Sequence, residues 1–136
     1  MINKNIRVGI IIMARHNSSR LEGKVYKKII DKKIIEYCIS NSKKIRNVNE
    51  IIIATTNSKK DKKMHQIAKK HNVKVFFGSE KDVVKRYVDA AKKYNLDIII
   101  RITGDCPFVS SEVLDIMLRS HLKKNSDYTV PKRATL

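Results

Sequence analysis

Four runs rich in Ile and Val, with few charges inside them, constrain this chain more than any other feature. They are Ile6 to Met13, Ile51 to Ala54, Val73 to Phe77 and Asp97 to Ile102. Apolar residues that do not alternate with polar ones call for strands covered on both faces, the habit of parallel sheets. Between the runs, apolar residues recur at helical spacing. One stripe is Ile34, Ile35, Cys38, Ile39 and Ile45. The next is Met64, Ile67, Ala68 and His71. The third is Val83, Tyr87, Ala90, Ala91 and Tyr94, and the last is Val113, Leu114, Met117 and Leu118. A fifth strand is expected over Asp127 to Val130. Strand–helix alternation implies βαβ units around a mainly parallel sheet with helices on both faces, an α/β fold. With 136 residues and no linker, repeat or low-complexity segment, residues 1–136 read as a single domain.

In such sheets ligands bind beyond the carboxyl ends of the strands. The first run ends in Ala14-Arg15-His16-Asn17-Ser18-Ser19-Arg20-Leu21-Glu22-Gly23-Lys24. Small residues let backbone N–H groups approach a ligand, and Arg15, Arg20 and Lys24 supply charge, a combination suited to a polyphosphate. The loop matches neither GxxxxGK[ST] nor GxGxxG. Ser18 and Ser19 are phosphate donors or plain turn formers, and Arg20 binds phosphate or pairs with Glu22. The second run ends in Thr55-Thr56-Asn57-Ser58, the third in Gly78-Ser79-Glu80 and the fourth in Thr103-Gly104-Asp105-Cys106-Pro107. These segments converge on one edge as a nucleoside triphosphate site. Thr55 and Thr103 are expected to face the base or ribose, with Ala54 leaving room for a flat ring. Asp105 is the expected Mg²⁺ ligand, since Mg²⁺ favours a carboxylate combined with phosphates and waters; otherwise it caps the following helix or holds the turn. Arg15 and Lys24 are expected to stabilise departing pyrophosphate. Arg86 reaches over the strand edge or pairs with Asp82 at i, i+4. His71 suits a helix C-terminus, His65 and His121 read as helix-surface residues, and His16 shows no partner. Cys106 reads as packing, because no histidine is placed to activate it.

The formal net charge of +17 raises nucleic acid as a partner. The lysines are scattered over nearly every expected helix, however, so most of this charge reads as solvated surface. Aromatic content of 6% with no Trp argues against a platform for stacked bases. Cys38 and Cys106 show no metal-ligand spacing and imply no disulfide framework. No apolar run approaches bilayer length, and the N-terminal run lacks a signal-peptide cleavage site, so a cytoplasmic location is expected.

The string Ile11 to Lys24 resembles the ARxxSxRLPGK signature of sugar-acid cytidylyltransferases. That group includes acylneuraminate and KDO cytidylyltransferases and their spore-coat polysaccharide relatives, the branch with the nearest likeness. Ile51 to Thr56, Phe77 to Tyr87 and Arg101 to Pro107 agree in order and approximate spacing. The resemblance implies the Rossmann-like nucleotidyltransferase fold and transfer of CMP from CTP to a sugar acid, releasing pyrophosphate with Mg²⁺. Arg15, Ser18, Arg20 and Lys24 fall on its triphosphate motif, Thr55 and Thr103 near its nucleoside, and Asp105 on its metal aspartate.

The departures are specific. Glu22 replaces a proline, Asn17 stands where glycine is common, Lys28 and Lys33 replace prolines, and Ile30-Asp31 stands where glycines are frequent. The family's chains are longer, and their further half supplies much of the sugar pocket and the homodimer contacts, so a truncated family fold is expected. Three other readings stay open: a non-catalytic nucleotide-binding fragment, a basic nucleic-acid-binding protein and a transferase using a nucleotide-sugar donor.

Overall fold

The computed structural model describes residues 5–17 and 21–131. The chain runs β1 (Val8–Met13), a 3-10 turn (Lys24–Tyr26), β2 (Lys28–Ile29), β3 (Lys32–Lys33), α1 (Ile34–Ser42), β4 (Glu50–Thr56), α2 (Lys63–Lys70), β5 (Lys74–Gly78), α3 (Val83–Lys93), β6 (Ile98–Thr103) and α4 (Ser111–Lys124). Four strands form a parallel sheet in the order β5-β4-β1-β6, while β2 and β3 make a small antiparallel hairpin.

The isoleucine runs explain the layers. On β1, Ile10 and Ile12 point into one core with Ile35, Cys38 and Ile39 of α1 and Met64 and Ile67 of α2. Ile11 points the other way, into a second core with Ile52, Ala54 and Ala90 of α3. All three β1 isoleucines are fully buried, and each such side chain contributes roughly 2 kcal/mol of apolar burial. Helices therefore cover both faces, as the runs demand.

Two expectations fail at the β6 side. Asp127 to Val130 forms no strand; Thr129 instead bonds its hydroxyl to His121 Nδ1 at 2.9 Å, and β6 stays an edge strand. The Asp97 to Ile102 run is also not covered twice. Ile102 is buried towards α1, but Ile99, Arg101 and Thr103 alternate outward and exposed. On α3 the expected stripe largely holds, with Ala90 buried and Tyr87 and Tyr94 packed against the second core, but Val83 is exposed and Arg86 is buried beside the stripe. The reason for the buried Arg86 lies in the site.

The connections matter for ligand binding. From β1 the chain steps outward to β4 and β5, then returns through α3 to β6 on the opposite side of β1. The direction of winding reverses between β1 and β6, and a crevice opens at their carboxyl ends.

Candidate functional site

That crevice is lined by Met13, Arg15, Asn17, Lys24, Val25, Val83, Arg86, Tyr87, Arg101, Thr103 and Asp105, and encloses about 240 Å³. Small-molecule pockets begin at about 300 Å³, so the cleft is slightly short of that size. Arg15 and Asp105, ninety positions apart, thus share one cleft.

Two glycines permit the approach. A Cβ on Gly104 would sit 2.8 Å from the Ala14 Cβ and 3.0 Å from the Met13 carbonyl oxygen. Gly104 N–H donates to that carbonyl at 2.8 Å, so the ends of β1 and β6 stay together and deliver Asp105 beside the β1 loop. Gly23 holds φ +66°, a left-handed conformation that costs other residues, and opens the 3-10 turn carrying Lys24. The far side of the loop is pinned by Asp61, buried at 1% exposure. Its carboxylate accepts from the His16 N–H at 2.7 Å and from the Thr56 hydroxyl. Asp61 was not singled out in the sequence. Its signal was present, however, in an acid placed three residues after Ser58, whose carbonyl and hydroxyl both receive the Asp61 N–H.

Lys24 Nζ forms an ion pair with Asp105 across the crevice mouth. The hydrogen bond from Lys24 leads the causes that hold the Asp105 carboxyl below its usual range, against a smaller opposing effect of burial. The carboxylate is therefore ionised and already carries a positive group. It does not cap the next helix, because Ser110 does so by accepting from Val113 N–H at 3.3 Å. Among the described residues no group of three His, Cys, Asp or Glu gathers to hold a metal. Asp105 would hold Mg²⁺ only together with a ligand's oxygens.

Arg86 is the unusual member, being a fully buried guanidinium. Its Nε donates to the Ser79 carbonyl at 2.7 Å, Nη2 to the Glu80 carbonyl at 3.4 Å, and Nη1 lies 2.9 Å from Met13 Sδ. Its side chain makes none of the i, i+4 pairing with Asp82 considered above; Asp82 instead caps α3 by accepting from Lys85 N–H at 2.8 Å. Burial, followed by the charge of Arg15, pushes its pKa down, yet arginine keeps its proton. A buried cation facing neutral acceptors is expensive unless an anion joins it.

Other expected residues are placed differently. Ala54 and Thr55 are fully buried in the sheet rather than lining the crevice, and the Thr55 hydroxyl has no partner among the described residues. Ala14 is buried against Gly104, whereas Thr103 is exposed and lines the cleft. Ser18, Ser19 and Arg20 lie outside the described residues. His16 does have an acidic neighbour, with Nδ1 3.3 Å from Glu22, whose other partner is Lys60 at 2.6 Å. Cys106 is exposed rather than packed, while Cys38 is buried, and burial pushes its thiol to about 12. No helix of the described residues is long and apolar enough to cross a membrane.

Comparison with known proteins places this geometry in context. A family model described as Cytidylyltransferase matches residues 9–135. An uncharacterized protein of Methanocaldococcus jannaschii is 42% identical over 126 residues, covering 93% of this chain and 52% of that protein. Spore coat polysaccharide biosynthesis protein SpsF of Bacillus subtilis is 33% identical over 130 residues, covering 93% of this chain and 54% of its own. The chain spans about half the length of these curated relatives. A solved cytidylyltransferase from Leptospira borgpetersenii superposes with a TM-score of 0.85 at 41% identity, covering 90% of this chain and 51% of that one. A CMP:2-keto-3-deoxy-manno-octonic acid synthetase complexed with CTP shares the fold at a TM-score of 0.77 and 24% identity, over 88% of this chain and 49% of that one.

Proposed function

This chain belongs to the cytidylyltransferase family, and on that premise we propose that it binds CTP in the β1–β6 crevice and transfers CMP to a sugar acid. Residues 1–136 act in this reading as the nucleotide-binding domain. The observation that carries it is Arg86: a buried cation with no ion-pair partner among the described residues, beside Arg15 and Lys24 in one cleft. Three cations concentrated there suit the β- and γ-phosphates.

The residues take distinct parts. Arg86 and Arg15 hold the triphosphate tail, and Thr103 lies against the nucleotide. Lys24 turns from Asp105 to phosphate as the anion arrives. Asp105 fits Mg²⁺, since its carboxylate already receives a cation at the crevice mouth. Mg²⁺ would supply charge neutralisation on the phosphoryl oxygens. A hydroxyl oxygen of the acceptor forms the new bond to the α-phosphorus and loses its proton to solvent. The bond from the α-phosphorus to the bridging oxygen breaks, and pyrophosphate leaves with the electron pair. Positioning and charge stabilisation do most of this work. A cytoplasmic location, where CTP is made and used, and a homodimer of the longer protein belong to the same reading.

The test is a calorimetric titration of the purified chain with CTP, UTP, ATP and GTP, each with and without Mg²⁺. Pyrophosphate release is then followed with 3-deoxy-manno-octulosonate as acceptor. CTP should bind most tightly and Mg²⁺ should strengthen it. Asp105→Asn should keep the native circular dichroism spectrum while losing the Mg²⁺ effect and any turnover. CTP binding without turnover would leave a nucleotide-binding fragment. Equal affinity for all four nucleotides, or a preference for duplex DNA over CTP, would overturn the reading.

A further inference from the structure

Arg15, Arg86 and Lys24 gather at the carboxyl end of the crevice, and a fourth cation lies further down β6. Arg101 stands two residues before Thr103 on β6, opposite Ile11 of β1, which is about 7 Å further down the strand. It is the only charge in the run Ile98 to Ile102 and points to the exposed side. Its Nε donates to the Tyr87 hydroxyl at 3.2 Å, and its guanidinium carbon lies 6.0 Å from the centre of that ring. Tyr87 is half-buried on α3 and gives a firm anchor. Among the described residues Arg101 has no ion-pair partner. Nε is engaged, so the terminal nitrogens form an oriented, unused fork. An arginine fork fits a carboxylate through two parallel hydrogen bonds.

Its surroundings give a ligand room. Arg101 borders the phosphate crevice on one side. On the other it borders a larger groove of about 470 Å³ between β6, α4 and the segment 127–131. Arg101 lines both spaces, so a molecule spanning the groove and the crevice meets it.

We propose that Arg101, oriented by Tyr87, binds the carboxylate of the acceptor substrate and so selects acids over neutral sugars. This rests on the nucleotidyl-transfer reading above. Arg101 is a specificity residue, and Tyr87 is a positioning residue acting through it.

The experiment titrates the full chain, with CTP and Mg²⁺ present, using 3-deoxy-manno-octulosonate and its uncharged methyl ester as probes. CTP affinity is measured separately on each variant. The wild-type chain should bind the acid more tightly than the ester. Arg101→Gln should weaken the acid about tenfold or more, the loss expected for a charge-assisted pair. It should also bind acid and ester alike, with CTP affinity falling by a clearly smaller factor than that of the acid. Arg101→Lys should recover part of the loss. Tyr87→Phe keeps the ring and removes the anchoring hydroxyl. It should weaken the acid by a smaller factor without lowering the melting temperature, and it decides the matter if Arg101→Gln does not fold. Unchanged acid binding in Arg101→Gln, or a parallel loss of CTP affinity, would overturn the proposal. So would a wild-type chain that binds CTP yet treats acid and ester alike or binds neither. Absence of CTP binding by the wild-type chain would instead sink the nucleotide reading itself.

Discussion

Single residues show where this chain departs from the cheapest backbone. Ile30 holds φ +58° at the tip of the β2–β3 hairpin, with 93% of its surface exposed. A β-branched residue in the left-handed region is strained, by about 1–3 kcal/mol. It buries nothing in return. The sequence had marked this place, because Ile30-Asp31 stands where the family often carries glycine. Ile30→Gly should therefore stabilise the protein by about 1 kcal/mol after glycine's own entropic cost, raising the melting temperature by roughly 3 °C. Differential scanning calorimetry of the pair checks this; a lower melting temperature would show that Ile30 makes contacts outweighing its strain. Asparagines take the same left-handed conformation at positions 47, 72, 95 and 125 with φ between 47° and 57°, and they do so at lower cost. Residue-level chemistry of this kind was legible. The buried guanidinium of Arg86 was less so, because i, i+4 spacing from Asp82 offered an equally good local explanation. Only the fold shows that the side chain turns inward to Ser79 and Met13.

Elements are joined by polar contacts that periodicity does not reveal. Glu36 of α1 is buried at 5% exposure and accepts from Lys70 at 2.7 Å, His71 at 2.9 Å and the Lys33 N–H at 2.9 Å. Burial pushes its carboxyl up, but the hydrogen bonds from His71, Lys70 and Lys33 outweigh that and hold it at about 2. A carboxyl whose folded pKa lies below its unfolded value of 4.5 stabilises the fold above that value. The contribution then fades as pH falls from 4.5 towards 2. Stability from urea melts should decline over that window, and Glu36→Gln should flatten the decline while lowering stability at pH 7. An unchanged slope would show that Glu36 is not the group responsible. The sequence placed His71 at a helix end, which is correct, but hid its partner 35 positions earlier. Strands and helices were legible because isoleucine runs and apolar stripes are local signals. The absent strand at Asp127 to Val130 was not, since a strand forms only where a neighbour offers a hydrogen-bonding edge in register. Ala54 and Thr55 were misplaced for a related reason: a strand's carboxyl end is near the ligand edge, but how deep a residue lies depends on the helices above it.

At the scale of the whole molecule, the charge of +17 is divided unevenly between uses. The acids are largely occupied. Asp97 receives the Arg7 N–H at 2.7 Å, Asp115 the Arg46 N–H at 2.8 Å, Asp61 the His16 N–H, and Asp105 and Glu36 hold lysines. The lysines outnumber them, and a pair stands at the end of each α-helix: Lys43 and Lys44 after α1, Lys69 and Lys70 in α2, Lys92 and Lys93 in α3, and Lys123 and Lys124 in α4. Each pair suits the negative end of a helix dipole. Each helix returns from the carboxyl edge of the parallel sheet, so all four pairs collect on the edge opposite the crevice. Repulsion within that edge opposes the compact state. Salt should relieve it: between about 0.01 M and 0.15 M the Debye length shrinks from about 30 Å to about 8 Å. The melting temperature should therefore rise by several degrees over this interval in sodium chloride. A protein held mainly by surface ion pairs would respond in the opposite sense, and a fall on adding salt would show that Arg7–Glu50, Lys60–Glu22 and Lys85–Asp89 outweigh the repulsion. The same titration followed with CTP present separates the two ends of the molecule. Crevice cations that engage phosphate lose affinity as salt rises, while the fold gains stability. The two curves should cross in sign only if the charge of the lysine edge and the charge of the crevice serve different purposes.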